Sequence, residues 1–384
     1  MNFDSSRRGF LAASLALPAA RIKASPSPQQ PAKAPKLEYG TLGKTGLKVT
    51  RVSFGCMITS DPTVIERAAD SGIIYFDTAR VYGGGNNERM VGAALKSRRQ
   101  KLVIASKTQG DTRERALRDL DKSLAELQTD HLDIWYLHAK RAPSDITDEL
   151  MEAQRIAKQQ GKIRFAGISN HSGHKELLPA VVKAKHFDVL LTAYNFAMAR
   201  TIDAELKLVH DAGIGVVGMK VMAGGGRVMP FYPTTEETRT TLKKPGAVLA
   251  SLKWTLRNPH IDTVIPSMVD IDQLEENLTA MSNPWNAGDE KLLAECLDQI
   301  RPSYCRMCGQ CCGACPKGLP VPDLLRFAMN AEGYGQFALG RENFLLLPAE
   351  VRSVRCGDCE SCSVKCPNGV RVPERLTRVQ ELFA

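Results

Sequence analysis

Over residues 37–300, apolar runs of strand length alternate with helix-period patterns, which predicts an α/β chain closed into a (β/α)8 TIM barrel. Residues 301–384 hold two dense runs of cysteine and helical rather than strand patterning, which predicts a second, small and mostly helical domain. Length agrees with this division, since 384 residues exceed one average domain. Composition does too: 43% apolar and 24% charged residues are ordinary for a soluble globular protein.

The segments follow in chain order. Residues 1–36 carry six basic side chains (Arg7, Arg8, Arg21, Lys23, Lys33 and Lys36) and one acid, Asp4, so +5 of the +9 net charge lies there. The remainder is close to balanced, and the basic pI therefore does not argue for nucleic acid. Ser6-Arg7-Arg8-Gly9-Phe10-Leu11 opens an apolar stretch, Phe10 to Ala20, that is too short to span a bilayer comfortably. Residues 1–24 resemble a twin-arginine (Tat) signal, which implies the Tat export machinery as a partner and a periplasmic or exported location. An uncleaved signal would leave a membrane tether. Residues 25–36 form a Pro-rich linker with little capacity to pack.

Eight strand-length runs follow, at 51–55, 73–77, 102–107, 132–138, 163–169, 188–194, 214–220 and 261–266. Between them the helical pattern is plainest over 112–128, where Leu117, Leu120, Leu124 and Leu127 make one stripe behind a Thr112 cap. Gly72, Gly161 and Gly213 stand where such helices should end. Eight buried strands with intervening helices match a barrel. The first strand turn, Phe54-Gly55-Cys56-Met57, lacks the glycine fingerprint of a doubly wound sheet.

Barrel active sites form where strands end. The runs end at Asp77 (with Tyr82 just beyond), Lys107, His138, Ser169-Asn170, Tyr194-Asn195, Lys220 and Ser267. An ammonium near a tyrosine favours the phenolate, and a carboxylate would hold that ammonium in place, so Asp77 and Lys107 are expected to lower the Tyr82 pKa. His138 could orient a carbonyl while Tyr82 delivers a proton.

Phe76-Asp77-Thr78-Ala79-Arg80-Val81-Tyr82-Gly83 with Asn87-Glu88 resembles the aldo-keto reductase signature. So do Ser106-Lys107, Tyr136-Leu137-His138, Gly167-Ile168-Ser169-Asn170, Val264-Ile265-Pro266 and Glu276-Asn277. The resemblance, over about residues 37–285, implies a catalytic tetrad of Asp77, Tyr82, Lys107 and His138 acting on a small-molecule carbonyl or alcohol. It implies NAD(P)H as cofactor, with Ser169 and Asn170 on the nicotinamide carboxamide. Lys220, Gly224, Gly225, Ser267, Gln273 and Asn277 would lie along the phosphates and adenosine. Leu37 to Val49 looks like the hairpin that plugs the other end of the barrel. The sequence departs from the family at Leu191, where a Gln is usual, and at Ser267 and Gln273, where NADPH-selective members carry Lys and Arg. Charged contacts of that kind are worth about 1.5–3 kcal/mol each, so strong NADPH selectivity is in doubt.

Nine of the eleven cysteines lie beyond residue 304. Cys305, Cys308, Cys311 and Cys315-Pro316 form one C-x₂-C-x₂-C-x₃-C-P run, and Cys356, Cys359, Cys362 and Cys366-Pro367 form another. This is the spacing of two-cluster ferredoxins, in which the fourth cysteine of each run ligates the other cluster. Cys305, Cys308, Cys311 and Cys366 are thus expected on one [4Fe–4S] cluster, and Cys356, Cys359, Cys362 and Cys315 on a second. Disulfides suit exported proteins, and zinc favours pairs of x₂ spacing, but neither accounts for two triple runs each closed by C-P. The apolar pattern at 324–329 looks more like the helical two-cluster domains of redox complexes than a compact ferredoxin.

Together these features predict an iron–sulfur oxidoreductase interconverting a carbonyl and an alcohol, with the clusters relaying electrons to a membrane or periplasmic electron-transfer partner. The rival expectation is an electron-transfer or binding subunit whose barrel is inactive.

Overall fold

A computed structural model describes residues 35–198, 202–223, 244–333, 337–357 and 359–383. The twin-arginine stretch, nearly all of the Pro-rich linker, Gly224 and Gly225 lie outside the described residues. No helix of the described residues is long and apolar enough to cross a membrane.

An antiparallel hairpin, β1 (Tyr39–Thr41) and β2 (Lys48–Thr50), precedes eight parallel strands: β3 (Phe54–Gly55), β4 (Tyr75–Asp77), β5 (Val103–Thr108), β6 (Leu132–Lys140), β7 (Ile163–Asn170), β8 (Val189–Ala193), β9 (Gly215–Met219) and β10 (Thr263–Val264). Their spatial order is their chain order, and bridges Val52–Val264 and Gly55–Ser267 close β10 onto β3. The sheet is therefore the (β/α)8 barrel the sequence predicts. Helices follow the strands at Pro62–Asp70, Asn86–Leu95, Arg113–Leu127, Asp148–Gln159, His174–Ala184, Asp203–Asp211, Ala247–Leu256 and Ile271–Leu278.

The closing seam is the thinnest part of the ladder. Runs 51–55 and 261–266 form regular strand over only two residues each. Hydroxyls take up the slack there: Thr263 Oγ1 donates to Thr50 O at 2.7 Å, and Thr50 and Ser53 pair at 3.1 Å.

Side-chain parity separates two cores. Tyr75, Val103, Ala105, Ile134, Tyr136, Leu191 and Val217 point into the barrel, where the hairpin's Leu42, Leu47 and Val49 plug the floor. Phe76, Ile104, Trp135, Leu137, Ile168 and Leu190 point outward onto the helices. The helix Arg113–Leu127 shows why its stripe packs: Thr112 accepts from Arg115 N at 3.2 Å, and Leu120, Leu124 and Leu127 are buried. Gly213 follows the helix Asp203–Asp211 at φ 81°, a left-handed turn that glycine adopts without strain.

The helix Ala287–Ile300 leads out of the barrel into the cysteine region, whose helices are Val321–Ala328, a π-helical turn at Met329–Gly333, Phe337–Leu345, Ala349–Ser353 and Val372–Phe383. One core runs through both parts. Phe196, Ala197, Ala247 and Ala250 of the barrel pack with Leu293, Ile300, Tyr304, Leu324, Phe327 and Phe383. Asn195 Nδ2, at the end of β8, donates to Tyr304 Oη at 2.9 Å. The cysteine region is thus packed onto the barrel rather than tethered to it.

Candidate active site and cysteine framework

Asp77, Lys107 and His138 end the inward-facing series Tyr75–Asp77, Val103–Ala105–Lys107 and Ile134–Tyr136–His138, so strand parity alone brings them to one rim. Tyr82 comes from the loop after β4. That loop is braced by Thr78 donating to Asn87 Oδ1 at 2.6 Å, Asn87 donating to Cys56 O at 2.7 Å, and an Arg80–Glu88 ion pair at 2.6 Å. Gly85, at φ 96°, leaves room for Arg80: a Cβ there would stand 1.5 Å from the guanidinium.

Lys107 Nζ donates to Asp77 Oδ1 and, at 2.6 Å, to Thr78 O. The pair is buried, with the side chains 1% and 3% exposed. Tyr75 Oη donates to the other Asp77 oxygen at 3.2 Å. The Lys107 ammonium stands 5.2 Å from the centre of the Tyr82 ring. The His138 ring meets Tyr82 edge-on at 6.2 Å.

Burial works to lower Lys107, but Asp77 and Tyr82 outweigh it and hold the ammonium above its ordinary value. For Tyr82 the expected lowering is reversed. Lys107 pulls downward, yet burial is the larger effect and the phenol is pushed above its usual value. Tyr82 is therefore an uncharged phenol. Burial, then Lys107, Arg326 and Lys220, hold His138 well below the usual imidazole range, so the ring is uncharged.

Above these residues is a cavity of about 340 Å³. Asp77, Tyr82, His138, Lys220 and Ser267 form its barrel side, and Met307, Arg326, Asn330, Leu339, Asn343 and Leu346 roof it from the cysteine region. The roof was not anticipated from sequence, nor was His171, which also lines the cavity. The available signal was Arg326 itself, a charge set within the apolar pattern 324–329 of a helix that is buried along most of its length.

The residues expected along a nicotinamide cofactor divide into two sets. Asn170 Oδ1 and both polar atoms of Asn277 are buried without a hydrogen-bond partner, orphan groups that fit a dinucleotide. Lys220 and Ser267 line the cavity. Ser169, in contrast, already accepts from Ala139 N at 2.9 Å. Gln273 is engaged at the start of its own helix, donating to Asp270 at 2.8 Å and accepting from Val269 N at 3.1 Å. Leu191 lies in the barrel interior.

The two cysteine runs come near one another. Cys305 lies within electrostatic reach of Cys311, Cys308 and Cys366, and Cys356 within reach of Cys362, Cys315 and Cys359. Asn368 Nδ2 donates to Cys308 Sγ at 3.4 Å, tying the end of the second run to the first. Among the described residues no three side chains converge as ligands of a single metal ion. A four-iron cluster puts each thiolate on a different iron and so does not require such convergence on one point. Burial pushes Cys305 up to about 12, and Cys312, the ninth cysteine of the region, is exposed. Cys56 and Cys296 are buried in the apolar cores.

Fold and site together define an oxidoreductase built on a (β/α)8 barrel with an iron–sulfur region folded over its mouth. Residues 59–298 match the aldo/keto reductase family and residues 304–371 match a 4Fe-4S dicluster domain. The chain belongs to the aldo/keto reductase family. It is 30% identical over 300 residues to the uncharacterized oxidoreductase YrpG of Bacillus subtilis (strain 168), covering 64% of this chain and 91% of that one. L-galactose dehydrogenase of Arabidopsis thaliana is 29% identical over 299 residues, covering 68% and 93%. The holo form of aldo-keto reductase AKR11C1 from Bacillus halodurans superposes with a TM-score of 0.58 at 26% identity, covering 68% and 96%.

Proposed function

We propose that this oxidoreductase interconverts a carbonyl and an alcohol in the cavity above Asp77, Tyr82, Lys107 and His138. The observation that carries the reading is the buried Lys107–Asp77 pair set beneath a neutral Tyr82. A carbonyl oxygen lies between Tyr82 and His138. As hydride reaches the carbonyl carbon, the Tyr82 O–H gives its proton to the oxygen, and Lys107 stabilises the tyrosinate left behind. Asp77 keeps Lys107 charged and aimed. His138, being neutral, directs a hydrogen bond without adding charge. Oxidation of the alcohol uses the same groups in reverse.

Asn170, Asn277, Lys220 and Ser267 would hold a nicotinamide cofactor, which when bound supplies the hydride. Without Lys and Arg at Ser267 and Gln273, strong NADPH selectivity is not expected. Cys305, Cys308, Cys311 and Cys366 would hold one [4Fe–4S] cluster and Cys356, Cys359, Cys362 and Cys315 a second. When bound, the clusters supply one-electron exchange with a membrane or periplasmic carrier. The Arg7-Arg8 stretch supports Tat export to the periplasm, after cofactor loading in the cytoplasm.

Tyr82→Phe tests the reading. The variant should keep its fold and its bound cofactors while carbonyl reduction falls by at least about 10². Undiminished turnover would remove Tyr82 from the mechanism.

A further inference from the structure

The cavity above the tetrad holds more positive charge than proton transfer requires. Its lining carboxylate is Asp77, already paired with Lys107. Around the same space stand Lys220, Arg141 and Arg326, and no second acid lines it among the described residues. Arg141 is drawn off by Asp323 at 2.6 Å. Arg326 meets that same, shared carboxylate only at 3.6 Å, and its buried Nε has no hydrogen-bond partner. The residue is 8% exposed. Burial and the neighbouring Arg141 bring it down to about 10, and burial with Arg326 and Lys107 brings Lys220 to about 7. A guanidinium held this deep with a bare donor is incompletely compensated until an anion joins it.

We propose that Arg326 receives a carboxylate of the substrate, which makes the substrate an oxo acid or hydroxy acid whose carbonyl or hydroxyl end meets Tyr82 and His138. The inference rests on the carbonyl–alcohol reading above and names its substrate class. It gives the C-terminal region a second task, because Arg326 sits on the helix Val321–Ala328 that roofs the barrel. Met57, Ile265, Leu339 and Leu346 supply apolar wall for the carbon chain between the two ends. A dinucleotide phosphate would satisfy the same guanidinium. Lys220 and Ser267, expected along the phosphates, line the cavity too, but Gln273 and Asn277 do not, and Arg326 shares the space with Tyr82 and His138, so the test below separates the two anions.

The test uses full-length protein with its clusters, comparing the parent with Arg326→Gln and Arg326→Lys. Probes are three- to six-carbon aldehydo- and oxo-carboxylates with their methyl esters, the matching dicarboxylates for calorimetric binding, and NADH and NADPH. The parent should prefer acids to esters. Arg326→Gln should lower the acid-over-ester ratio of kcat/KM by about tenfold to a hundredfold, mainly through KM, and weaken dicarboxylate binding equally. Arg326→Lys should recover part of both, and unchanged cluster absorption would show that the fold survives. Equal use of acids and esters by the parent, or an unchanged ratio in Arg326→Gln, overturns the proposal. Weakened NADH and NADPH binding with an unchanged ratio assigns Arg326 to cofactor phosphate and also overturns it. If no carbonyl is turned over but Arg326→Gln still abolishes dicarboxylate binding, the anion site stands and the carbonyl reading fails.

Discussion

Lys107→Met keeps most of the lysine's volume and removes the ammonium on which the proposed proton transfer depends. Two losses follow. Asp77, 3% exposed, is left without its partner, and breaking a buried ion pair from one side destabilises by about 3–5 kcal/mol. The chemical loss is separate. A unit charge 5.2 Å from the Tyr82 ring is worth about 3 kcal/mol at an effective dielectric of about 20, or roughly 10² in rate. The assay is steady-state carbonyl reduction alongside thermal unfolding. Expected are a roughly hundredfold fall in kcat, a KM changed only a few-fold, and a lowered Tm. Adding Asp77→Asn should restore most of the Tm and none of the rate, a split that a purely structural pair would not produce. Because Lys107 is held above its ordinary value, its stabilisation is fully present below the unfolded lysine value of about 10.4. The Tm gap between parent and variant should therefore persist through neutral pH and close only as the solution turns strongly alkaline. A Lys107→Met protein with kcat within about threefold of the parent refutes the reasoning.

Anaerobically prepared protein should hold roughly eight iron and eight sulfide, and Cys366→Ser should lose the same spectroscopic component as Cys305→Ser, while Cys315→Ser matches Cys359→Ser; pairing by run instead of across runs would break the crossed assignment. Lys220 sits at about 7, so at pH 8 an anionic ligand should draw a proton onto it. Calorimetry of dicarboxylate binding in two buffers of different ionisation enthalpy reads that uptake, and none at pH 8 sinks the idea. Replacing Arg7 and Arg8 together by Lys should trap a tagged chain in the cytoplasm; normal export would dismiss the Tat reading.

Period-two alternation was enough to place Asp77, Lys107 and His138 on one inward series, since a strand leaves its side chains no third face. The hairpin plug and the cap at Thr112 were equally legible, because both depend on residues close in sequence. The iron–sulfur character of the C-terminal region was legible too, since cysteine spacing is itself the signature, and residues 304–371 match a 4Fe-4S dicluster domain. Position in the chain did not fix which partner a polar side chain takes. Gln273 occupies a position where a cofactor contact was expected, yet its amide is taken up by Asp270 three residues away.

The amino-acid order by itself thus determined the barrel, which side chains reach its rim and the iron–sulfur character of the C-terminal region, all set by short-period rules. Only the tertiary structure decided what covers the rim. Arg326 lies 188 positions after His138 in sequence, and no periodicity relates a strand end to a helix in another region of the chain. One apolar core joins that region to the barrel, and the fit of the two surfaces carries Arg326 over Tyr82. The direction of the Tyr82 shift was decided in the same way. Lys107 could be named from sequence, but the desolvation that outweighs it arises only when a roof and a barrel close around the hydroxyl.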